Sequence, residues 1–193
     1  SILSPMLFNI FINDLLLSLE STTAGVNVGQ SQYNSFAYAD DISLFSATLP
    51  GLQKLIDKCY NYAKKWRFNF GIKKSKCMIS GDNPFKATPT WNLGPLTMET
   101  VESLEILGVT YSSKPTNYTT HVNTRANKCR QAFFSLKDAG IMDKSLNPQT
   151  KAYLWNTVCS PTLLYGMECS HLKKNDLLAL DSLQGYCIKL CFN

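Results

Sequence analysis

Apolar residues recur at three- and four-residue steps near the start of the chain: Leu7, Phe8, Phe11, Ile12, Leu15, Leu16 and Leu19. That spacing places them on one side of a helix. Ser4-Pro5 marks its start, with Ser as N-cap and Pro at the first helical position. Gly25 and Gly29 then punctuate a short loop or hairpin. From about residue 32 to about residue 46 the period changes. Two strand-forming runs, Ser35-Phe36-Ala37-Tyr38 and Ile42-Ser43-Leu44-Phe45, flank Asp40-Asp41. The pattern predicts a tight hairpin with the acidic pair at or near its tip.

A second helix is expected from near Pro50. Leu52, Leu55, Ile56, Cys59, Ala63 and Trp66 make its apolar face, and Lys54, Lys58, Asn61 and Lys65 lie largely on the other. Gly71 ends or follows it. Cys77-Met78-Ile79 reads as a strand and Gly81-Asp82-Asn83-Pro84 as a turn. Trp91 to Leu96 and Leu104 to Tyr111 read as further strands. The first part is thus α+β, with helices packed on one face of a mostly antiparallel sheet.

The character changes near Lys114-Pro115, where the pattern becomes mostly helical. Val122, Ala126, Cys129, Phe133 and Leu136 form one stripe, with Gly140 as a C-terminal cap. Asn147-Pro148 starts another helix with Ala152, Trp155 and Val158 apolar, and Pro161 is expected to kink or restart it. Asn175-Asp176 starts the last. Two parts follow from this reading, residues 1–114 and residues 115–193.

Composition adds constraints. The chain has 193 residues and 45% apolar content, ordinary for a globular protein. No apolar run reaches the length of a membrane span. No secretory signal is evident. The chain begins without Met, and we expect it to be a piece of a longer protein. Its seven cysteines contain no C-x-x-C pair and are expected to be buried free thiols of a reducing compartment. Cys169 with His171, and Cys187 with Cys191, are weak zinc candidates without a second well-spaced pair.

Charge is unevenly placed. Residues 1–50 carry four acids and no Lys or Arg, and residues 51–80 carry eight Lys or Arg against one acid. An acidic platform followed by a basic block suits a polyanion whose phosphates meet both a metal and lysines. Several of these lysines are also expected to form a plain solvated helix face. Adjacent carboxylates repel, and a cation relieves that repulsion. Mg²⁺ takes carboxylate oxygens together with substrate phosphates, so Asp40-Asp41 on a hairpin is a candidate metal platform for phosphoryl chemistry.

The motifs fall in an order. Ser1-x-Leu3-Ser4-Pro5-x-Leu7-Phe8-Asn9 is followed by Phe36-Ala37-Tyr38-Ala39-Asp40-Asp41, by Trp66, and by Gly71-Ile72-Lys73-Lys74-Ser75-Lys76. Leu104-Glu105-Ile106-Leu107-Gly108-Val109 and Leu163-Leu164-Tyr165-Gly166-x-Glu168 close the series. Together they resemble the reverse transcriptase of non-LTR retrotransposons, from the second half of the palm into the thumb. The resemblance implies an antiparallel palm sheet with packed helices over 1–114 and a mostly helical thumb over 115–193. It implies an RNA-directed DNA polymerase acting on an RNA template, a DNA primer and dNTPs, with two Mg²⁺ ions. The primer 3′-hydroxyl attacks the α-phosphate of the nucleotide and pyrophosphate leaves.

By that resemblance Asp40 is a metal ligand, and Asp41 is a second ligand or a residue that tunes the site. Tyr38 and Ala39 lie against the primer terminus, although Tyr38 is equally an ordinary sheet aromatic. Lys74 assists the departing pyrophosphate, with Lys73 and Lys76 close enough to share the assignment. Leu107, Gly108 and Val109 resemble the primer-grip turn, for which a structural β-bulge is the alternative. Arg125, Lys128 and Arg130 are expected to face the template–primer duplex. Ser1, Ser4 and Pro5 support template and nucleotide. Tyr165 and Leu164 are read as packing, and Gly166 as a turn. The family implies nuclear work and no membrane. It takes a further carboxylate from an upstream palm strand that these residues do not include, so the chain alone is expected to be inactive. The alternatives are a decayed or domesticated copy that binds nucleic acid without catalysis, and a group II intron maturase or telomerase-like polymerase.

Overall fold

The computed structural model describes residues 3–81, 88–114 and 117–192. Ser1, Pro115 and most of the Gly81–Pro84 turn expected above lie outside them. The chain forms two compact units. The first runs to Ile79 and includes the segment ending at Val101; the second holds Ser80, Gly81 and the described residues from Glu102 onward.

In the first unit, α1 (Ser4–Glu20) begins one residue earlier than the capping pattern suggests. Leu3, not Ser4, is the N-cap, its backbone is already helical, and no side chain caps the end. Leu7 N–H instead reaches Leu3 O at 3.0 Å, which leaves Ser4 inside the first turn beside Pro5. Only Ile12, Leu15 and Leu19 of the apolar face are buried, whereas Leu7 is 62% exposed. The hairpin β1 (Val26–Val28) and β2 (Ser31–Tyr33) follows, then β3 (Ser35–Tyr38) and β4 (Asp41–Leu44).

Helix α2 (Leu49–Trp66) is capped by Thr48, whose side chain accepts from Gly51 N–H at 3.1 Å. It ends on Arg67 in the left-handed region (φ 57), before Gly71 is reached. Leu55, Ile56, Cys59 and Ala63 are its buried face. Leu55 and Cys59 meet Ile12, Leu15 and Leu19 of α1 in one core. Ile56 meets Cys77, Trp91 and Leu93 in another. Tyr62 Oη donates to Phe11 O and Lys58 Nζ to Ser18 O, which ties α2 to α1 at two levels.

Strands pair two by two. The run Trp91 to Leu96 is not one strand but a hairpin of β6 (Asn92–Leu93) and β7 (Leu96–Thr97). Gly94, at φ 62, turns the chain there, and Pro95 lacks the N–H a continuing strand needs. β5 (Lys76–Cys77) pairs parallel with β8 (Glu99–Thr100).

The second unit opens with β9 (Ser103–Ile106) and β10 (Val109–Ser112), again a hairpin where one strand was expected. Helix α3 (Thr119–Asp138) buries Val122, Ala126, Cys129 and Phe133. Its C-terminus closes on Gly140 (φ 98), with Gly140 N–H on Lys137 O at 2.9 Å and Ile141 N–H on Leu136 O at 3.0 Å. Leu136 and Ile141 share the same core, completing a Schellman motif.

Asn147 caps α4 (Pro148–Leu154), and a π-helical turn, Trp155–Cys159, joins it to α5 (Ser160–Leu164). Pro161 has no N–H to give a tight helical ladder, and the helix restarts around it after the widened turn. In α6 (Lys174–Phe192), Asp176 accepts from Lys173 N–H at 3.2 Å and from Thr119 Oγ1 at 3.0 Å. One core gathers Cys129, Phe133, Trp155, Cys159, Leu163, Leu183 and Cys187.

Asn34 carries a disproportionate share of the first unit's order. It is 5% exposed, and its Nδ2 donates to Leu19 O at 2.6 Å and Thr22 O at 3.3 Å. Its own carbonyl accepts Phe45 N–H at 2.8 Å. One side chain therefore closes the end of α1 while its backbone starts the β3–β4 pairing. Asn34→Ala strips two backbone carbonyls of a donor and should cost about 1–3 kcal/mol. Urea unfolding followed by tryptophan emission measures this, with exposed Asn61→Ala expected within about 0.5 kcal/mol of wild type.

Six of the seven cysteines are buried, and Cys169 is exposed. Burial pushes the Cys59 and Cys159 thiols up to about 12. It pushes Cys77 and Cys187 to about 11. At pH 8 the folded chain should therefore show one fast-reacting thiol toward an aromatic disulfide, and seven after unfolding. The folded state holds these protons more tightly than the unfolded one. Their stabilisation is then complete below the ordinary thiol value of 9.0 and is lost as pH rises toward about 12. Cys59→Ala and Cys159→Ala should each flatten the alkaline fall of the urea midpoint.

Candidate functional site

The β3–β4 hairpin is registered by Ser35 opposite Leu44, Phe36 opposite Ser43, Ala37 opposite Ile42 and Tyr38 opposite Asp41. Ala39 and Asp40 are therefore the whole turn, and Asp41 is the first residue of β4. Alternation along the strands divides the hairpin into two faces. Ile42 and Leu44 pack on the core shared by α1 and α2. Phe36, Tyr38, Asp41 and Ser43 share the opposite face. A turn this tight needs a positive φ, and Ala39 supplies it at φ 51 without being glycine. The cost is roughly 1–2 kcal/mol.

Asp40 and Asp41 are both exposed. Among the described residues neither carboxylate has a hydrogen bond or an ion pair; the two ion pairs present are Lys76 with Glu99 and Lys128 with Glu105. Two hard oxygen donors, adjacent and without a cationic neighbour, fit the donor set that Mg²⁺ prefers.

The face bearing Asp41 is aromatic. Tyr33 stacks on Phe36 with ring centroids 5.8 Å apart, and Phe36 meets Phe45 edge-on at 5.4 Å. Phe36 is 56% exposed and Tyr38 67%. The sequence reading singled out Tyr38 alone. The signal for the others was present in the odd-even pattern, which puts Phe36 and Tyr38 on one side.

Lys74 lies on a short turn after α2, where its N–H and that of Ser75 both reach Gly71 O, at 2.9 and 3.0 Å. Lys73 and Lys74 are exposed, whereas Lys76 sits in β5 and pairs with Glu99 at 3.4 Å. Of the three lysines considered, Lys76 is thus neutralised locally. Ser4 and Pro5 occupy the first turn of α1.

Leu107 and Gly108 make the two-residue turn between β9 and β10, both at positive φ (49 and 80). That is a type I′ geometry, natural to Gly and costly for Leu. No bulge is needed, since the register is continuous from Ile106–Val109 to Ser103–Ser112. Leu107 is exposed, but Val109 is only 8% exposed and packs inward, so it cannot itself meet a strand.

A polar network sits behind this turn. Tyr165 Oη donates to Leu107 O at 2.7 Å, and the Tyr165 ring lies against Gly108. His121 is fully buried; its Nδ1 accepts Thr110 N–H at 3.1 Å, and its Nε2 is 3.0 Å from Tyr165 O. An amide can only donate and a carbonyl only accept, which assigns the neutral tautomer with hydrogen on Nε2. A Cβ on Gly166 (φ 74) would stand 2.7 Å from Val109 Cγ2 and 3.1 Å from His121 Nε2, so only glycine fits.

Arg125 is 8% exposed and lies over the Tyr165 ring, 4.4 Å from its centroid. Its Nε has no hydrogen-bond partner. The basic face expected on α3 does not form. Arg125 is turned into the protein, while Lys128 and Arg130 are exposed. Residues of an α-helix are about 100° apart, which sends Lys128 and Arg130 to opposite sides. Lys128 pairs with Glu105 at 3.7 Å, and Arg130 Nη1 donates to Asn127 Oδ1 at 2.8 Å. His121 was missed in the sequence. The available signal was a His and an Arg embedded in the apolar stripe of α3, which points to a buried polar network.

Residues 1–111 match the family described as reverse transcriptase (RNA-dependent DNA polymerase). The chain is similar to the retrovirus-related Pol polyprotein from type-2 retrotransposable element R2DM of Drosophila melanogaster, 28% identical over 203 residues. That alignment covers 99% of this chain and 18% of the fly protein. It is also similar to the retrovirus-related Pol polyprotein from type-1 retrotransposable element R2 of Popillia japonica, 28% identical over 205 residues, covering 99% of this chain and 27% of the beetle protein. The chain thus spans under a third of the length of these relatives. With its Asp-Asp hairpin and more than half its length matched, the chain belongs to the reverse transcriptase family.

Proposed function

We propose that the chain supplies part of the palm and the thumb of an RNA-directed DNA polymerase that extends a DNA primer on an RNA template. The observation that carries this reading is the pair of exposed, unpartnered carboxylates at the tip of the β3–β4 hairpin, in a chain of this family. Asp40 and Asp41 would hold Mg²⁺, which when bound lowers the pKa of the primer hydroxyl and offsets charge on the leaving pyrophosphate. Asp40, on the turn, projects free of the strand pairing, while Asp41 is fixed opposite Tyr38. The exposed aromatic face of Phe36 and Tyr38 offers a sequence-tolerant stacking surface beside the carboxylates.

Lys74, exposed and unpaired among the described residues, offsets phosphate charge. Lys64 and Lys65 in the last turn of α2 extend the same basic block. Leu107 and Gly108 present a turn to the primer backbone. Lys128 and Arg130 contribute phosphate contacts from separate sides of α3. Arg125 acts behind the turn rather than on the duplex. Ser4 and Pro5 sit at the end of α1 nearest the template and nucleotide.

In this reading a further carboxylate comes from outside these 193 residues, and the chain alone should not extend a primer. Its binding functions remain measurable. It should bind an RNA–DNA hybrid with little sequence preference, and log affinity should fall linearly with log salt. Mn²⁺, used as a paramagnetic probe for Mg²⁺, should bind the chain–hybrid complex. Asp40→Asn should weaken that binding about tenfold, equivalent to about 1.4 kcal/mol. Asp41→Asn should weaken it less, and hybrid affinity in metal-free buffer should not fall in either variant. Mn²⁺ affinity indifferent to both substitutions would remove the metal-platform assignment.

A further inference from the structure

We infer that Tyr165 is the positioning residue of the Leu107–Gly108 turn, and that His121 and Arg125 hold Tyr165 in place for it. The inference rests on the proposal that this turn meets the primer strand. It adds the part that sets the turn's shape.

A leucine at φ 49 is not a conformation that residue chooses locally. Something outside the hairpin has to favour it. The Tyr165 hydroxyl donates to the carbonyl of the strained residue itself, at 2.7 Å. The ring fills the space where a side chain at position 108 would begin, its Cε1 lying 3.2 Å from that point. Tyr165 therefore reads both turn residues, one by a hydrogen bond and the other by contact.

Tyr165 is itself held from behind. Its backbone carbonyl receives His121 Nε2 at 3.0 Å, and the other nitrogen of that ring takes Thr110 N–H at 3.1 Å. The imidazole thus clamps β10 to the segment bearing Tyr165. Arg125 lies over the Tyr165 ring at 4.4 Å. It is buried with an unpartnered Nε, and it has no ion pair among the described residues. A cation kept in such a place is explained by the ring it covers. Gly166, the residue after Tyr165, brings the chain back past Val109 and His121 without a Cβ. These contacts all lie within one compact unit.

Tyr165→Phe tests this in the chain as it stands, because it keeps the ring and its Arg125 contact and removes only the hydroxyl. Two readouts are needed. Amide exchange at Val109 and Thr110 should quicken about tenfold, with amides in the middle of α3 and α6 unchanged. Affinity for an RNA–DNA hybrid should fall several-fold with little change in the thermal midpoint. Leu107→Gly relieves the strained φ, so Tyr165→Phe made on that background should lose most of its effect on exchange. Arg125→Lys keeps the charge but not the planar stack, and should loosen the same amides more weakly.

Unchanged exchange at the turn in Tyr165→Phe and in Arg125→Lys overturns the inference, whatever the binding data show. Faster exchange with unaltered hybrid affinity also overturns it as a positioning role, because the turn would then be held for no strand. A wild-type chain that binds no hybrid defeats the functional reading of the turn, while the exchange experiment still decides whether Tyr165 sets its shape.

Discussion

Backbone groups taken out of water must be bonded, and in both units of this chain the decisive ones are bonded by a single side chain. A buried carbonyl or amide left alone costs about as much as one or two ordinary core contacts contribute. Asn34 donates to Leu19 O in the last turn of α1, alongside Thr22 N–H, and to Thr22 O just beyond it, and its backbone fixes where the acidic hairpin begins. His121 answers for an amide of β10 and for the carbonyl of Tyr165. Neither residue touches the acidic pair or the Leu107 turn apex. Each determines where a hairpin stands relative to a helix.

The two hairpins share a second property. Each turns on a non-glycine residue in the left-handed region, Ala39 in one and Leu107 in the other. Such strain persists only where surrounding structure over-determines it. At the first hairpin the over-determination comes from Ile42 and Leu44 pinned on the core, which leaves only two residues for the reversal. At the second it comes from Tyr165. Replacing either residue with glycine would relax the turn locally, yet would also widen the set of conformations the chain can reach there.

Much of this was legible in the residues and some was not. The faces of α2 and α3, the Gly140 cap and the Asp-Asp hairpin tip follow from spacing and turn chemistry, because each is decided within a few residues. The Asp-Asp pair and the ordered motifs around it also point to the family that the comparison shows. The run from Leu104 to Tyr111 misled, since Leu at a left-handed position carries no turn signal. The start of α1 misled because Ser4-Pro5 looks like a cap when the helix in fact closes on Leu3. His121 and Arg125 within the apolar stripe of α3 hint at a buried polar network, but not that Tyr165 is their partner. The network joins residues from separate elements, and only the folded chain shows that they meet. The basic face expected on α3 does not form for a simpler reason: three cations close in sequence do not share one side of the helix.

The absent side chain at Gly166 has a consequence for how this chain takes substitution. The space it leaves is occupied jointly by Val109 and His121, from a strand and a helix far apart in sequence. Any larger residue at 166 requires both neighbours to retreat together, and His121 cannot retreat without abandoning an amide and a carbonyl. A substitution at 166 is therefore felt at 109 and 121 together, so the effects of changes at the three positions should not add independently.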